Sequence, residues 1–286
     1  MRVSVVIPTY NEEDVIADCL ESLAKQNFRD FEVIVVDDGS TDKTPSVLSE
    51  CQNPKSLPYR QAGKFQILKQ DHLGAGAARN FGAKKAKGEI LVFVDADMTF
   101  EKNFLKKLIS PILAGSAKGT FSKDEYVANW ENVWARCWNF NEGWIAKRRH
   151  RVNYPDTQKV FRAILKKEFD RVGGFTPGGY TDDYTLSEKL GFYAAATRDA
   201  YFYHKNPGSL IEVFKQARWI GKRRYKLGFV GYVVAVVRAL LPVSLLVGIL
   251  KSIRNREPRF LVFKIIYDLG VTLGIWEFLI SKKGGK

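Results

Sequence analysis

The chain has 286 residues, is 45% hydrophobic and carries a formal net charge of +14 at pH 7. This length and apolar content are enough to bury one sizeable core, which excludes a small or largely disordered class of protein. The basic excess indicates a polyanionic partner such as nucleic acid, an anionic membrane or a phosphorylated ligand. The three cysteines are odd in number and lack the spacing of metal ligands, which argues against a disulfide framework and favours a reducing compartment.

Short apolar runs recur through the first hundred residues. The first, residues 3–7, is too short for a signal peptide and is predicted to be a buried strand. Residues 31–36, 65–68 and 90–94 have the same character and are predicted to be the next three strands.

Helix signals separate these runs. Asn11 is expected to cap a first helix with an apolar face from Val15 to Leu23, and Thr44 followed by Pro45 marks the start of a second helix. Residues 75–86 are predicted to form a third. The alternation predicts an α/β fold in which a largely parallel sheet carries helices on both faces.

The alternation stops in the second third of the chain. Residues 121–155 are expected to form helices and loops above the sheet edge. A returning strand is predicted over residues 159–165, a short helix over 166–172, an amphipathic helix after Asp182 and Asp183, and an aromatic strand over 201–203.

The character of the chain changes again after about residue 228. We therefore predict one domain over residues 1–225, made of a first part over 1–115 and a second part over 116–225. Residues 226–286 are predicted to be hydrophobic and basic helices.

The strongest local signal is Asp95-Ala96-Asp97, directly after a predicted buried strand. Ligands bind at such strand ends in open α/β sheets, and two alternating carboxylates there can share a divalent cation with diphosphate oxygens. The alternative is a solvated turn.

Two more strand ends lead into polar loops. The run Pro8-Thr9-Tyr10-Asn11-Glu12 follows the first strand, and Asp37-Asp38-Gly39-Ser40-Thr41-Asp42 follows the second. A carboxylate there can accept the N–H of a nucleobase, and Tyr10 can stack on that base. The alternatives are that Asp42 caps a helix, Gly39 serves a turn and Tyr10 packs at a rim.

The run Gly74-Ala75-Gly76-Ala77-Ala78-Arg79 resembles a dinucleotide-binding fingerprint. It follows the third strand rather than the first, however, and Arg79 replaces its third glycine. We interpret it as close packing of a helix on the sheet, with Arg79 facing the ligand pocket expected at the strand ends, and disfavour a dehydrogenase.

Four blocks in order, 4–12, 35–42, 78–80 and 93–97, resemble those of the family-2 inverting glycosyltransferases of GT-A fold, over roughly residues 1–225. The resemblance implies transfer of a sugar from a nucleotide diphosphate donor, with Mg²⁺ or Mn²⁺ held by the D-x-D motif against the diphosphate. The expected metal ligands are Asp95, Asp97 and His204. The expected donor-binding residues are Pro8, Tyr10, Glu12, Asp37, Asp38, Arg79 and Asp95, with Asp38 contacting the base, usually uracil.

The resemblance also implies an acidic pair on the acceptor side, which here is Asp182-Asp183 instead of the usual Glu-Asp. Asp183 matches the general base that takes the proton of the attacking hydroxyl. The alternative is that one of the two caps the following helix. His204, a further metal ligand by resemblance, has a structural role as its alternative.

The run Gln216-Ala217-Arg218-Trp219 resembles the Q-x-x-R-W motif of processive synthases but is one residue short. Arg218 is expected to neutralise the leaving diphosphate and Trp219 to line the acceptor site, with Gln216 beside them. The alternative is an amphipathic helix with a charged face.

Residues 229–250 and 260–280 are each about long enough to cross a bilayer. Basic residues lie before, between and after them, however, and the second contains Lys264, Asp268 and Glu277, so that helices lying in the cytoplasmic interface fit better than spanning ones. Packing as a soluble helical pair is the alternative.

Together, these features predict a metal-dependent inverting glycosyltransferase at the cytoplasmic face of the cell membrane. A UDP-sugar is the favoured donor, and the acceptor is a lipid-linked saccharide, a polyprenyl phosphate or another glycan. The alternatives are an inactive nucleotide-sugar-binding scaffold at the membrane and a nucleic-acid-binding protein. The second is disfavoured because no nucleic-acid-reading element is recognisable.

Overall fold

The computed structural model describes residues 2–51, 65–177, 182–223, 225 and 227–281. The strands are β1 Val3–Thr9, β2 Phe31–Asp37, β3 Phe65–Lys69, β4 Ile90–Phe93, β5 Met98–Phe100, β6 Gly119–Ser122, β7 Glu125–Val127, β8 Thr157–Gln158, β9 Ala163–Leu165, β10 Ala194–Thr197 and β11 Phe202–His204. The helices are α1 Ile16–Ala24, α2 Thr44–Cys51, α3 Ala75–Lys85, α4 Phe104–Leu113, α5 Val133–Glu142, α6 Lys166–Arg171, α7 Asp182–Leu190, α8 Leu210–Gly221, α9 Gly228–Arg238, α10 Leu241–Asn255 and α11 Phe260–Ser281.

An eight-stranded sheet in the order β3-β2-β1-β4-β9-β6-β10-β8 organises the first part of the chain. Strands β3, β2, β1 and β4 run parallel, which confirms the four strands predicted there and brings their carboxyl ends to one edge. Strand β9 runs antiparallel to both β4 and β6. A smaller sheet joins β5, β11 and β7.

Side chains of β1 alternate between two hydrophobic clusters, one on each face of the sheet. Val5 and Ile7 belong to the cluster that includes α1 and α4, whereas Val6 belongs to the cluster that includes α3. Helix α3 approaches the sheet closely, since a Cβ atom placed on Gly82 would lie 2.5 Å from Cγ1 of Val6. Helices therefore cover both faces, as the sequence predicts.

The prediction that Asn11 caps the first helix is wrong. Helix α1 begins at Ile16 without a side-chain cap, and Asn11 has a φ of 57°. Its Oδ1 instead accepts hydrogen bonds from the backbone N–H groups of Thr41 and Asp42, at 2.8 and 3.3 Å. Asparagine tolerates this left-handed backbone, and its side chain competes for local N–H groups.

The strand predicted over residues 159–165 is confirmed only at its end, as β9 over Ala163–Leu165. Strand β8, Thr157–Gln158, precedes the predicted range and pairs with β10, whereas β9 pairs with β4 and β6, so residues 159–162 pass from one set of neighbours to another. The aromatic strand predicted over 201–203 is confirmed with a shift of one residue, as β11.

The apolar run over residues 229–250 is also broken. It forms α9 and α10, bent by 65°, and Pro242 lies in the first turn of α10, where a missing N–H costs no helical hydrogen bond. Within the part of the chain that the structure describes, no single helix has the length and hydropathy needed to span a membrane, although this bent pair passes the same test jointly.

The chain forms two compact units. The first comprises residues 1–126 and 153–204, and the second comprises 127–152 and 205–286. The units thus divide the chain at other places than the predicted boundary near residue 225, because residues 127–152 and α8 group with the C-terminal helices. Helix α8 and α11 come so close that a Cβ atom on Gly270 would lie 2.7 Å from the carbonyl oxygen of Phe214.

Candidate active site

The loops that follow β2 and β3 are joined through one buried carboxylate, that of Asp38. Its oxygens accept hydrogen bonds from the backbone N–H groups of Leu73 and Gly74 at 2.9 and 2.8 Å, and from Nε2 of Gln70 at 2.6 Å. A carboxylate that accepts several such bonds is held firmly in one orientation. Asp38 thus organises the loop after β3, and its predicted contact with the base stays a prediction.

A stacked aromatic pair lies beside this carboxylate. The rings of Tyr10 and His72 are 3.9 Å apart with an angle of 24° between their planes, and Nδ1 of His72 lies 2.9 Å from Oδ2 of Asp38. Tyr10 is 40% exposed, so its ring is accessible for further stacking. His72 was not predicted from the sequence, because it follows β3, whereas the polar loops that predicted a site follow β1, β2 and β4.

The other polar residues after β1 and β2 mainly hold the two loops together. The N–H of Glu12 donates to Oγ1 of Thr44 at 2.8 Å, and Oδ1 of Asp37 accepts from the N–H of Ser40 at 3.0 Å. Asp42 accepts from the N–H of Thr44 at 2.9 Å and so holds the start of α2, which is the capping alternative. Pro8 lies within β1, opposite Val36.

The centre of the site is an arginine between two aspartates. Nη2 of Arg79 lies 2.7 Å from Oδ1 of Asp95, and its Nη1 lies 2.6 Å from Oδ1 of Asp183. The Arg79 side chain is only 8% exposed. Its planar guanidinium joins the first carboxylate of the D-x-D motif to the predicted general base, which are 88 positions apart in the sequence.

A second arginine, Arg162, completes the surroundings of Asp95. Its Nη1 lies 3.1 Å from Oδ2 of Asp95, so that each carboxylate oxygen faces a different guanidinium. Burial alone raises the pKa of Asp95, but the charges of Arg162 and Arg79 outweigh it and hold that pKa below its ordinary range. Arg162 precedes β9 and was not singled out in the sequence, because no local motif contains it.

The second carboxylate of the D-x-D motif contacts His204. Oδ2 of Asp97 lies 2.7 Å from Nε2 of the imidazole, and Oε1 of Glu125 lies 3.0 Å from its Nδ1. Glu125 therefore fixes the ring orientation from one side while the other nitrogen faces Asp97. The structure thus brings together two of the predicted metal ligands and adds Glu125, which was not predicted from the sequence.

Glu12 adds a further acid near the motif. Burial, followed by the charges of Asp97 and Asp95, raises its pKa from 4.5 to about 8. Negative charge is therefore in excess where the D-x-D motif meets the loop after β1, and this excess favours binding of a cation.

The side chains near the D-x-D motif suit a divalent ion whose remaining coordination positions are filled by the substrate. Among the described residues, no group of three or more His, Cys, Asp or Glu side chains is arranged to hold a metal ion. Asp97 and His204 are adjacent, however, and Mg²⁺ in proteins commonly takes one or two carboxylates and fills its remaining positions with water and phosphate oxygens. Both oxygens of Asp95 already face arginines, so its role as a ligand stays a prediction.

Helix α7 carries the predicted acidic pair in its first turn. It begins at Asp182, two positions before the predicted start at Tyr184. Asp183 points one carboxylate oxygen at Arg79, and among the described residues no hydrogen bond reaches its Oδ2. For Asp182 the structure describes the backbone alone.

Gln216, Arg218 and Trp219 lie in α8, within the second compact unit. Nε of Arg218 donates to Oε1 of Glu277 in α11 at 2.7 Å, and Lys222 pairs with the same carboxylate at 3.0 Å. This ion-paired face is what the amphipathic-helix alternative describes. The predicted contacts of these three residues with diphosphate and acceptor stay predictions.

Comparisons with known proteins find glycosyltransferases among the proteins similar to this chain. The chain is 43% identical over 108 residues to the poly(ribitol-phosphate) beta-N-acetylglucosaminyltransferase TarS of Staphylococcus aureus (strain Mu50 / ATCC 700699). The aligned stretch covers 37% of this chain and 18% of the relative. The chain thus spans about a fifth of the length of that relative.

Solved structures show the same fold. A crystal structure of S. aureus TarS 1–349 in complex with UDP-GlcNAc aligns with a TM-score of 0.56 at 18% identity, covering 99% of this chain and 93% of that one. The mannosyltransferase PcManGT from Pyrobaculum calidifontis, in complex with GDP-Man and Mn²⁺, aligns with a TM-score of 0.59 at 20% identity, covering 96% and 87%. The architecture is the GT-A fold that the sequence motifs predict.

The model of the family described as "Glycosyl transferase family 2" matches residues 4–178, more than half of the chain. This range contains the strand-end loops, the D-x-D motif and both arginines that hold it. The chain therefore belongs to glycosyl transferase family 2.

Proposed function

We propose that this chain transfers a glycosyl unit, with inversion, from a nucleotide diphosphate sugar to an acceptor hydroxyl or phosphate. The observation that carries the proposal is Arg79, whose guanidinium joins Asp95 at the donor side to Asp183 at the acceptor side. One buried cation thereby sets the spacing between the group that faces the leaving diphosphate and the group that accepts the proton.

The donor nucleotide is held at the ends of β1, β2 and β3. The exposed ring of Tyr10 stacks on the base, and His72 supports Tyr10 from the opposite side at 3.9 Å. Asp38 keeps the His72 loop in place through its bonds to Leu73 and Gly74. UDP is the favoured nucleotide. TarS in complex with UDP-GlcNAc supports this choice, while PcManGT in complex with GDP-Man keeps guanosine open.

Asp97 and His204 would hold Mg²⁺ or Mn²⁺, with Glu125 keeping the imidazole oriented. When bound, the ion neutralises charge on the departing diphosphate. The guanidinium groups of Arg79 and Arg162 keep Asp95 ionised and in place. They also place two positive charges beside the donor site, where the diphosphate accumulates negative charge.

Asp183 acts as the general base. Arg79 holds its Oδ1 at 2.6 Å, which leaves Oδ2 to accept the proton of the acceptor as that oxygen attacks the anomeric carbon. Attack from the side opposite the diphosphate inverts the configuration. Asp182, its neighbour in the chain, is the first residue of α7.

The acceptor is a glycan or a lipid-linked saccharide, and the chain works at the cytoplasmic face of the cell membrane. Similarity to TarS, a poly(ribitol-phosphate) beta-N-acetylglucosaminyltransferase, supports a polyanionic glycan acceptor. The net charge of +14 supports attraction of such an acceptor and of an anionic membrane. Nucleic acid is not proposed as a partner.

A donor panel with and without Mn²⁺ tests the proposal. Nucleotide sugars are scored by the rise in melting temperature that they cause and by release of nucleoside diphosphate in the presence of candidate acceptors. We expect one donor class to stabilise the chain in a Mn²⁺-dependent way and to be turned over. Binding of a nucleotide sugar without release of nucleoside diphosphate in the presence of any acceptor would instead favour the scaffold alternative.

Asp183→Asn separates catalysis from donor binding. We expect this variant to keep the donor-induced rise in melting temperature and to lose transfer by about 10²–10⁴-fold, the usual contribution of a general base. Asp170→Asn is the matched control, because Asp170 is a half-exposed helical aspartate that pairs with Lys166 at 2.6 Å. Unaltered transfer by Asp183→Asn would refute the assignment of the base.

A further inference from the structure

Helix α9 presents an apolar face to solvent. Its exposed residues recur at helical spacing, namely Phe229, Val230, Val233, Val234 and Val237, and Phe229 is 74% exposed. The opposite face packs within the second unit, where Tyr232, Ala235 and Val236 contact a cluster of α8 and α11 residues. Both faces of this helix are therefore apolar, and one of them has no protein covering it in the described chain.

Helix α10 repeats the arrangement. Leu241, Leu245, Leu246, Ile249, Leu250 and Ile253 lie along one exposed face, and Ile253 is 71% exposed. On the inner face, Oγ of Ser244 donates to Asp268 at 2.5 Å. A Cβ atom on Gly248 would lie 2.7 Å from Cδ1 of Leu261, so the inner face is closely packed on α11. We call the exposed faces of α9 and α10 together the elbow surface.

Positive charge accompanies the elbow surface. Residues 228–260 contain five basic side chains and a single acid, Glu257, which pairs with Arg136 at 3.1 Å. Arg238, Arg254, Arg256 and Arg259 are exposed. A second copy of this chain would bring the same cations together, whereas lipid phosphates would neutralise them. The charge therefore selects an anionic lipid surface as the occupant.

The helix lengths limit how that surface is bound. At 1.5 Å per residue, the 11 residues of α9 and the 15 residues of α10 rise roughly 16 and 22 Å. Each is shorter than the hydrocarbon core of a bilayer, about 30 Å. A bend of 65° also separates the two helix axes.

We propose that the elbow surface docks the chain on an anionic membrane, with α9 and α10 lying in the plane of the interface. The exposed valines, leucines and isoleucines enter the acyl boundary, and the arginines contact lipid phosphates. This inference deepens the proposed membrane location, but it concerns a surface that binds without donor or acceptor. Its failure is therefore distinguishable from a failure of the proposed transferase activity.

Flotation of the full chain with vesicles tests the proposal, using vesicles of phosphatidylcholine alone and of phosphatidylcholine with phosphatidylglycerol. We expect binding to the anionic vesicles, and a loss of about ten-fold in partitioning for Ile253→Ser. Ile211→Ser is the matched control, because Ile211 is 69% exposed on α8 and lies outside the elbow surface. Both positions are exposed, so both variants should melt like the wild-type chain.

The electrostatic part is tested by Arg254→Gln, with Arg198→Gln as the control at an exposed arginine of the first unit. We expect about a five-fold loss for Arg254→Gln, on anionic vesicles alone. Absence of vesicle binding by the wild-type chain would overturn the proposal, as would equal losses for Ile253→Ser and Ile211→Ser. If the wild-type chain did not bind vesicles but formed a concentration-dependent dimer, and Ile253→Ser abolished that dimer, the elbow surface would bind a second copy of the chain instead of a membrane.

Discussion

Replacing Arg79 with methionine removes the cation between Asp95 and Asp183 while keeping most of the side-chain volume. The hydrogen bond to Asp95, whose side chain is 29% exposed, is expected to contribute about 2 kcal/mol, as bonds to charged groups do. Asp183 is 38% exposed, so solvent screening reduces its contribution to about 1 kcal/mol. Arg79→Met should therefore lower the free energy of unfolding by about 3 kcal/mol.

Arg162→Met is the matched control. It removes one hydrogen bond to the same carboxylate, at 3.1 Å, and leaves the bond between Arg79 and Asp183 intact. We expect a smaller loss of stability, about 1–2 kcal/mol. Urea denaturation of the metal-free chain measures both values. In transfer assays, Arg79→Met should lower turnover more than Arg162→Met does, because only Arg79 positions the base.

A double-mutant cycle isolates the contact itself. Combining Arg79→Met with Asp183→Asn should cost less than the sum of the two single changes, with a coupling of about 1 kcal/mol. Independent effects of the two substitutions, together with an Arg79→Met variant as stable as the wild type, would refute the reasoning. The bridge would then contribute neither to the stability of the site nor to its geometry.

Three further predictions concern single residues. The raised pKa of Glu12 means that the folded metal-free chain retains a proton that the unfolded chain releases. The free energy of unfolding should therefore fall as pH rises from 4.5 to about 8, by at most about 1.4 kcal/mol per pH unit. Urea titrations of the wild type and of Glu12→Gln at several pH values measure this dependence, and the same dependence of unfolding free energy on pH in both proteins would contradict the prediction. Glu125→Ala should weaken Mn²⁺ binding about 10–100-fold in calorimetry, since the His204 ring loses its orienting partner; unchanged affinity would count against the metal site. Gly82→Ala should lower the free energy of unfolding by about 1–3 kcal/mol, because the added Cβ would clash with Val6. Combining it with Val6→Ala should restore part of that loss. Thermal unfolding measures the effect, and a wild-type melting temperature for Gly82→Ala would exclude the clash.

The sequence predicts the parallel half of the sheet well because three of its four strands, β1, β2 and β4, are buried along nearly their whole length. Residues 90–94, for example, are apolar without interruption, and neighbours on both sides bury β4. The polar loops are likewise predictable, since parallel strands bring their carboxyl ends to one edge. These features depend on local composition alone.

The contacts that organise the site depend on distant parts of the chain. Arg162 reaches Asp95 across 67 positions, and Arg79 reaches Asp183 across 104, so no window of sequence contains either pair. Asn11 has the composition of a helix cap, but the loop after β2 offers it two N–H groups that compete with that role. Local patterns therefore locate the edge of the sheet without determining which charges meet there.

The hydrogen bonds between Asp38 and the loop after β3 have a consequence for engineering. Two of its bonds go to backbone N–H groups, at Leu73 and Gly74, which nearly every amino acid supplies. These two bonds are thus largely indifferent to the identity of the side chains at positions 71 and 73, whereas His72 itself contacts Asp38 and stacks on Tyr10. A library that randomises positions 71 and 73, while keeping Asp38, Gln70, His72 and Gly74, should retain the backbone and change the side chains on either side of His72, so that donor choice can be varied in this loop.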